Sequence, residues 1–239
     1  MGRQEVPEHD ACDNIEGLYG GGGDVAIIGC MQSILKYKSL IREIPVECQS
    51  AHVKKDVWAR IQYKGKREIE KSLFGSESEI EICRKNILFE QDFSKKIVMA
   101  LMWGYPTGGR GNNIQNILKD ASLKGMLSSV HKKNLTQEKA EELLKGFAKI
   151  KGLGLSTWSK LLYFFQVSIE SMKCQIFDIK IVDSLNHVQF EELEHGTWKH
   201  EPKQYFEYIK LLRGLAKKIG ASPDQVELFL FYYNLGYKF

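Results

Sequence analysis

The sequence predicts a mainly α-helical globular protein, with room for a small N-terminal antiparallel sheet. Three observations carry that prediction. Apolar residues recur at three- and four-residue spacing in most segments between residues 92 and 234, the period of a helix with one buried face. Only Val53 to Phe74 mixes that spacing with alternation, so ARIQYKGKREIEKSLF reads either as helix or as a small sheet. No repeat of about 20–50 residues is present, which excludes a solenoid. With 239 residues, 43% hydrophobic, 27% charged and 5 prolines, the chain is neither disordered nor fibrous. It is long enough to bury a core without metals or disulfides.

The elements follow in order. Residues 1–24 carry Arg3 against Glu5, Glu8, Asp10, Asp13, Glu16 and Asp24 and end in YGGGGD. No apolar periodicity precedes these glycines, so the segment reads as a flexible acidic tail and not as a dinucleotide-binding loop, which needs a strand before it. Residues 25–239 are then one domain. Ile27, Ile28, Met31, Ile34 and Leu35 define a helix from Val25 to Ile41, and Pro45 ends the pattern. Residues 92–103 put Phe93, Ile97, Val98, Leu101 and Met102 on a wide apolar face, and WGYPTGGRG forbids continuation. One helix opens at Asn113. Another follows Thr136, a natural cap, and carries Leu143, Leu144, Phe147 and Ile150. Tyr205, Ile209, Leu212, Ala216 and Ile219 mark the next, and Ser222-Pro223-Asp224-Gln225 supplies the cap, first-turn proline and capping-box glutamine of the last.

Several function classes drop out. The longest apolar runs, Ile97–Trp103 and Leu228–Tyr233, fall far short of the ~20 residues of a membrane span. MGRQEVPEHD has neither the basic nor the apolar region of a secretory signal, so a cytoplasmic address is expected. Cys12, Cys30, Cys48, Cys83 and Cys174 form no C-x-x-C pair and the histidines no H-E-x-x-H motif. Reduced structural thiols are expected, and no metal or cofactor. Net charge is +4, unevenly spread: residues 131–160 hold seven lysines against three glutamates. That is the footprint of a phosphate-contacting surface, or of a solvated helix face.

The most informative segment is Leu143–Phe165. Two amphipathic helical patterns are separated there only by Lys151-Gly152-Leu153-Gly154-Leu155, a gap that admits only a hairpin. Gly152 and Gly154 allow backbone conformations that a Cβ would obstruct, Leu153 plugs between the helices, and the second helix begins at about Ser156. Its free amides and positive dipole end make an anion site, with Lys151, Gly152, Leu153, Gly154, Ser156 and Thr157 as candidate DNA-binding residues. The alternative is a tight turn that uses glycine for geometry alone.

This h-G-h-G pattern is followed by QIFDIKIVDSL, whose Asp178 stands 24 residues after Gly154. Together they resemble the helix-hairpin-helix DNA glycosylase superfamily. MALMWGYPTGGRGNNIQNIL resembles the part of 8-oxoguanine glycosylases where an Asn-rich loop enters DNA between two helices. WGYPTGGRG is similar to a small bacterial group of that fold, some of whose members are linked to defence against phages with modified DNA. The resemblance covers about residues 90–235. It implies a two-lobed helical fold with a DNA cleft between the lobes, and a monomeric, cofactor-free enzyme. Such an enzyme flips a damaged or modified base from double-stranded DNA and hydrolyses its glycosidic bond.

The resemblance also implies site residues. Asp178 would stabilise the oxocarbenium-like sugar, a role compatible with capping the helix it precedes. Asp183, roughly 140° further round that helix, is structural. Arg110, Asn112 and Asn113 would enter the base stack. Trp103 or Tyr105 would line the base pocket, with Phe229–Tyr233 on the opposite wall. Where strand-cutting relatives carry a lysine on the second hairpin helix, this chain has Ser156, which favours simple base release. Lys160, one turn on, is a displaced amine nucleophile or a phosphate-binding lysine. VSIESMKCQ lengthens the hairpin-to-aspartate interval. Two other readings stand beside this one: a non-catalytic helix-hairpin-helix DNA-binding protein, and a helical protein-interaction domain.

Overall fold

The structure, a computed structural model, describes residues 33–187, 190–193 and 197–234. The predicted acidic tail and residues 25–32 of the first predicted helix lie outside them. The remainder of that helix is a 3-10 turn, Ile34–Tyr37, running into α1 (Lys38–Glu43). The ambiguous stretch contains both kinds of structure. It forms β1 (Ser50–Lys54), α2 (Lys55–Ala59) and α3 (Lys66–Phe74), which lead back to β2 (Glu79–Cys83). The two strands are antiparallel, with Ser50 opposite Cys83 and Lys54 opposite Glu79. A two-stranded ribbon is marginal alone; this one buries Val53 and Ile82 in the main core.

After α4 (Arg84–Phe89) comes α5 (Phe93–Gly104), capped by Asp92, whose carboxylate accepts from the N–H groups of Ser94 at 2.7 Å and Lys95 at 3.1 Å. Every residue from Lys96 to Met102 is buried, the mark of a central helix covered on all sides. It lies between the β1–β2 ribbon and the hairpin's second helix.

Then follow α6 (Asn113–Lys119), α7 (Ala121–Val130), β3 (Asn134–Leu135) and α8 (Gln137–Phe147). Thr136 caps α8 as expected. The helix stops short of Ile150, which is buried within the turn that follows. The second hairpin helix, α9, spans Leu155–Phe164.

Before the next helix the chain forms β4 (Ser168–Ile169) and β5 (Met172–Lys173), antiparallel to each other across a turn with Glu170 and Ser171 at φ 48° and 60°, and β4 also pairs in parallel with β3. The chain closes with α10 (Ile179–His187), α11 (Tyr205–Ile219) and α12 (Pro223–Asn234). The predicted capping box of α12 is formed: Ser222 N–H donates to Gln225 Oε1 at 2.9 Å, and Gln225 N–H to Ser222 Oγ at 3.4 Å.

The fold is therefore mainly helical with a small antiparallel sheet, the expected class. Among the described residues no helix is long and apolar enough to cross a membrane, and no group of three or more His, Cys, Asp or Glu is placed to hold a metal ion. Cys48, Cys83 and Cys174 are free thiols.

Candidate active site

The site grows from the short link between β5 and α10. Ser159 on α9 accepts from the Phe177 N–H at 3.1 Å. From α11, Tyr205 and Tyr208 donate to the carbonyls of Gln175 at 2.9 Å and Ile176 at 2.6 Å. The Phe177 ring stacks on Tyr208 at 4.3 Å. Burial pushes both phenols well above their ordinary range, so they remain donors. A backbone held this way fixes the residue that follows it.

That residue is Asp178. Its Oδ1 accepts from the N–H groups of Lys180 at 3.1 Å and Ile181 at 3.3 Å, capping α10. Its Oδ2 stands 3.4 Å from Lys160 Nζ. Lys160, only 6% exposed, also donates to the Ser156 carbonyl at 3.2 Å and lies 5.7 Å from the Tyr105 ring centre. Gly104 at the end of α5 makes room for it: a Cβ there would lie 2.9 Å from Lys160 Cδ.

Asp178 and Lys160 face a cavity of about 580 Å³, within the size range of small-molecule sites. Trp103 and Tyr105 line it from α5, Ser156 from α9, Ile179 and Lys180 from α10, Phe231 and Tyr232 from α12, and Gln49 and Ser50 from the start of β1. The Trp103 indole N–H donates to the Gln49 carbonyl at 3.1 Å, and the Tyr105 and Thr157 hydroxyls are 2.7 Å apart. Of the expected opposite wall, Phe231 and Tyr232 reach the cavity. Phe229 is in the core, and Tyr233 packs 5.7 Å from Tyr37.

The hairpin adjoins this cavity through Ser156. Gly152 has φ +89°, and a Cβ on it would lie 2.9 Å from Asn113 Cα, so it has both reasons to be glycine. The same contact brings the hairpin against the Arg110–Asn113 loop, joining two segments 40 residues apart into one surface; Lys151, Arg110, Asn112 and Asn113 are exposed on it. Gly154 corrects the sequence reading. Its φ of −83° suits any residue, and a Cβ there would meet nothing within 4 Å, so it leaves open space above the turn.

Leu153 and Thr157 are corrected as well. Both are buried, their N–H groups are bonded inside the turn, and the Thr157 hydroxyl is taken by Tyr105. They shape the hairpin and present no side chain to a ligand. Among the described residues, the N–H groups of Lys151, Gly152, Leu155 and Ser156 have no acceptor.

Sequence reasoning gave His200 no role. Its Nε2 lies 3.2 Å from Ser156 Oγ and 3.1 Å from the Phe177 carbonyl, tying the start of α9 to the Asp178 link. Gln49 and Ser50 were also missed. No local signal marks any of the three, because each acts across tens of residues.

The structure thus sets a glycine-bent helical hairpin beside a cavity that holds a paired carboxylate and amine. Residues 45–231 match the family described as "Putative 8-oxoguanine DNA glycosylase OGG-like protein", and the chain belongs to that family. The match begins well before residue 90 and takes in the β1–β2 ribbon and the helices around it. No curated protein and no solved structure matches the chain.

Proposed function

We propose that the protein is a DNA N-glycosylase that extrudes a modified base from duplex DNA and breaks its glycosidic bond, leaving an abasic site. One observation carries the reading: Asp178 Oδ2 and Lys160 Nζ, 3.4 Å apart, face an aromatic-walled cavity next to the hairpin. The acceptor-free N–H groups of Lys151, Gly152, Leu155 and Ser156 grip a phosphate beside the flipped nucleotide without regard to sequence. Arg110, Asn112 and Asn113, braced by Gly152, fill the gap in the stack. The base enters between Trp103, Tyr105, Phe231 and Tyr232.

As the C1′–N bond breaks, its electron pair leaves with the base and positive charge grows on the sugar. The Asp178 carboxylate, held in orientation by its two capping bonds, stabilises that charge. Water then bonds to C1′ and gives up a proton.

The position of Lys160 favours a second reading. Its amine lies in the cavity rather than on the outer surface, where it can displace the base and bond to C1′ itself. The base leaves with the C1′–N pair, the new aminal sheds a proton as C1′–O4′ opens with O4′ taking up the pair and a proton, and the resulting Schiff base leads to strand cleavage.

One screen separates these readings. Duplexes carrying 8-oxoguanine, an alkylated purine or a hypermodified cytosine are incubated with the full chain, and half of each sample receives alkali. Breaks only after alkali mean simple release. Breaks without alkali, with a borohydride-trapped protein–DNA adduct that Lys160→Gln abolishes, mean the amine acts. Release of an oxidised or alkylated base supports a repair role, and release of the hypermodified cytosine a role in phage defence. Binding to all duplexes with no base released replaces the enzyme by a DNA-binding module.

A further inference from the structure

Opposite the hairpin, the cavity wall is backed by a buried network that the reaction above does not use. Arg84, at the start of α4 and 1% exposed, lies between the rings of Trp103 at 5.2 Å and Tyr163 at 5.0 Å. It pairs at 2.9 Å with Glu227 of α12, equally buried. So deep a pair adds little stability over apolar packing, because desolvating both charges offsets their attraction. What it does achieve is to fix the guanidinium in place.

Arg84 Nε then donates to Gln49 Oε1 at 2.6 Å. A guanidinium has donors and no acceptor, so the amide oxygen of Gln49 must face Arg84 and the amide nitrogen must face away. The choice between the two amide orientations is thereby settled by chemistry. The Gln49 carbonyl is held too, by the Trp103 indole at 3.1 Å and the Arg84 N–H at 3.0 Å. Among the described residues Nε2 alone has no partner, it is not among the buried unpartnered atoms, and its residue lines the cavity.

The geometry points to Gln49 as a specificity-determining residue: Arg84, locked by Glu227, turns the Gln49 amide so that its N–H groups meet the edge of the extruded base. Bases presenting a carbonyl oxygen there, as hypoxanthine does at C6, are accepted. Bases presenting an amino group set donor against donor and are rejected. This rests on the glycosylase reading and names a residue that selects among bases in the same site. A polar group left unpaired in a closed site lowers kcat/KM by about ten- to a hundredfold.

The test uses the full chain and duplexes identical but for one nucleotide, in pairs that differ at C6: hypoxanthine and 8-oxohypoxanthine carry a carbonyl there, adenine and 8-oxoadenine an amino group. A tetrahydrofuran abasic analogue, which has no base, reports DNA binding alone. Wild-type protein is expected to favour the carbonyl bases at least tenfold. Gln49→Glu keeps an acceptor for Arg84 but replaces the donors with an oxygen. It is expected to lose about ten- to a hundredfold in kcat/KM on the carbonyl bases and to reduce or invert the preference, with unchanged abasic-duplex affinity. Gln49→Ala is expected to level the preference without inverting it.

If both variants keep the wild-type preference, the assignment of Gln49 falls and the glycosylase reading stands. If both lose abasic-duplex binding in parallel with activity, Gln49 is a structural residue and the assignment falls again. If wild-type protein releases no base from any duplex, the glycosylase reading itself fails and takes the role of Gln49 with it.

Discussion

The two walls of the cavity are built in opposite ways. On the hairpin side, Ser156, Lys160, Asp178 and Lys180 come from one run of 25 residues, three of them at a helix start and Lys160 a turn further into α9. On the far side, Gln49, Trp103 and Phe231 come from three distant segments, backed by an Arg84–Glu227 pair that spans 143 residues. The first wall is positioned by backbone geometry, the second by packing in the core. The contrast teaches that changes to the first wall should slow the reaction on every base alike. Changes to the second should alter which base is taken, or the stability of the fold.

The sharpest way to break the comparison is Asp178→Asn. The amide oxygen still caps α10, so melting temperature and abasic-duplex affinity should hold, while single-turnover base release falls by ~10²–10³. A fall confined to some bases would put Asp178 with the recognition wall. Next is Gly152→Ala, which meets both a left-handed φ and the Asn113 backbone. Denaturant melts should show a loss of about 1–3 kcal/mol, and fluorescence anisotropy should show weaker binding to every duplex.

Gly104→Ala separates stability from chemistry. Alanine suits the end of α5, so the melting temperature should not fall, but the new methyl pushes against Lys160 Cδ. Displacing a reacting amine should cut trapped adduct or base release by on the order of tenfold. Unchanged activity would exclude Lys160 from the chemistry and leave it as a phosphate contact.

The smallest effect is one of pH. Burial, opposed in part by Arg84, pushes the Glu227 carboxyl up from 4.5 to about 7. The folded protein thus holds this proton more tightly than the unfolded chain. Its contribution favours the fold at low pH and is lost as pH rises through about 7. Between pH 5 and 8 the melting temperature of wild type relative to Glu227→Gln should fall by several degrees. A constant difference would mean that Arg84 fully matches the charge.

Much of the hairpin wall was legible in advance. The caps at Thr136 and Ser222, the bent hairpin and the aspartate opening α10 each join residues a few positions apart. A short window therefore contains both partners, and backbone sterics and hydrogen bonding leave few alternatives. The β1–β2 ribbon was less so. Its strands are separated by 24 residues, only Val53 and Lys54 of it fall in the stretch that read as helix or sheet, and it is settled where Val53 and Ile82 enter the core.

The far wall could not be read locally at all. Gln49 finds Arg84 35 residues on, Ser156 finds His200 44 residues on, and Arg84 finds Glu227 143 residues on. Nothing near Gln49 distinguishes it from a solvated surface glutamine, and nothing near Arg84 from a helix-starting charge. Such contacts gain weight only once folding has removed water from around them, when a donor must find an acceptor and a charge its counterion. Local chain chemistry sets the turn, the caps and the acid; which far residues close around them depends on burial, a property that no single segment carries.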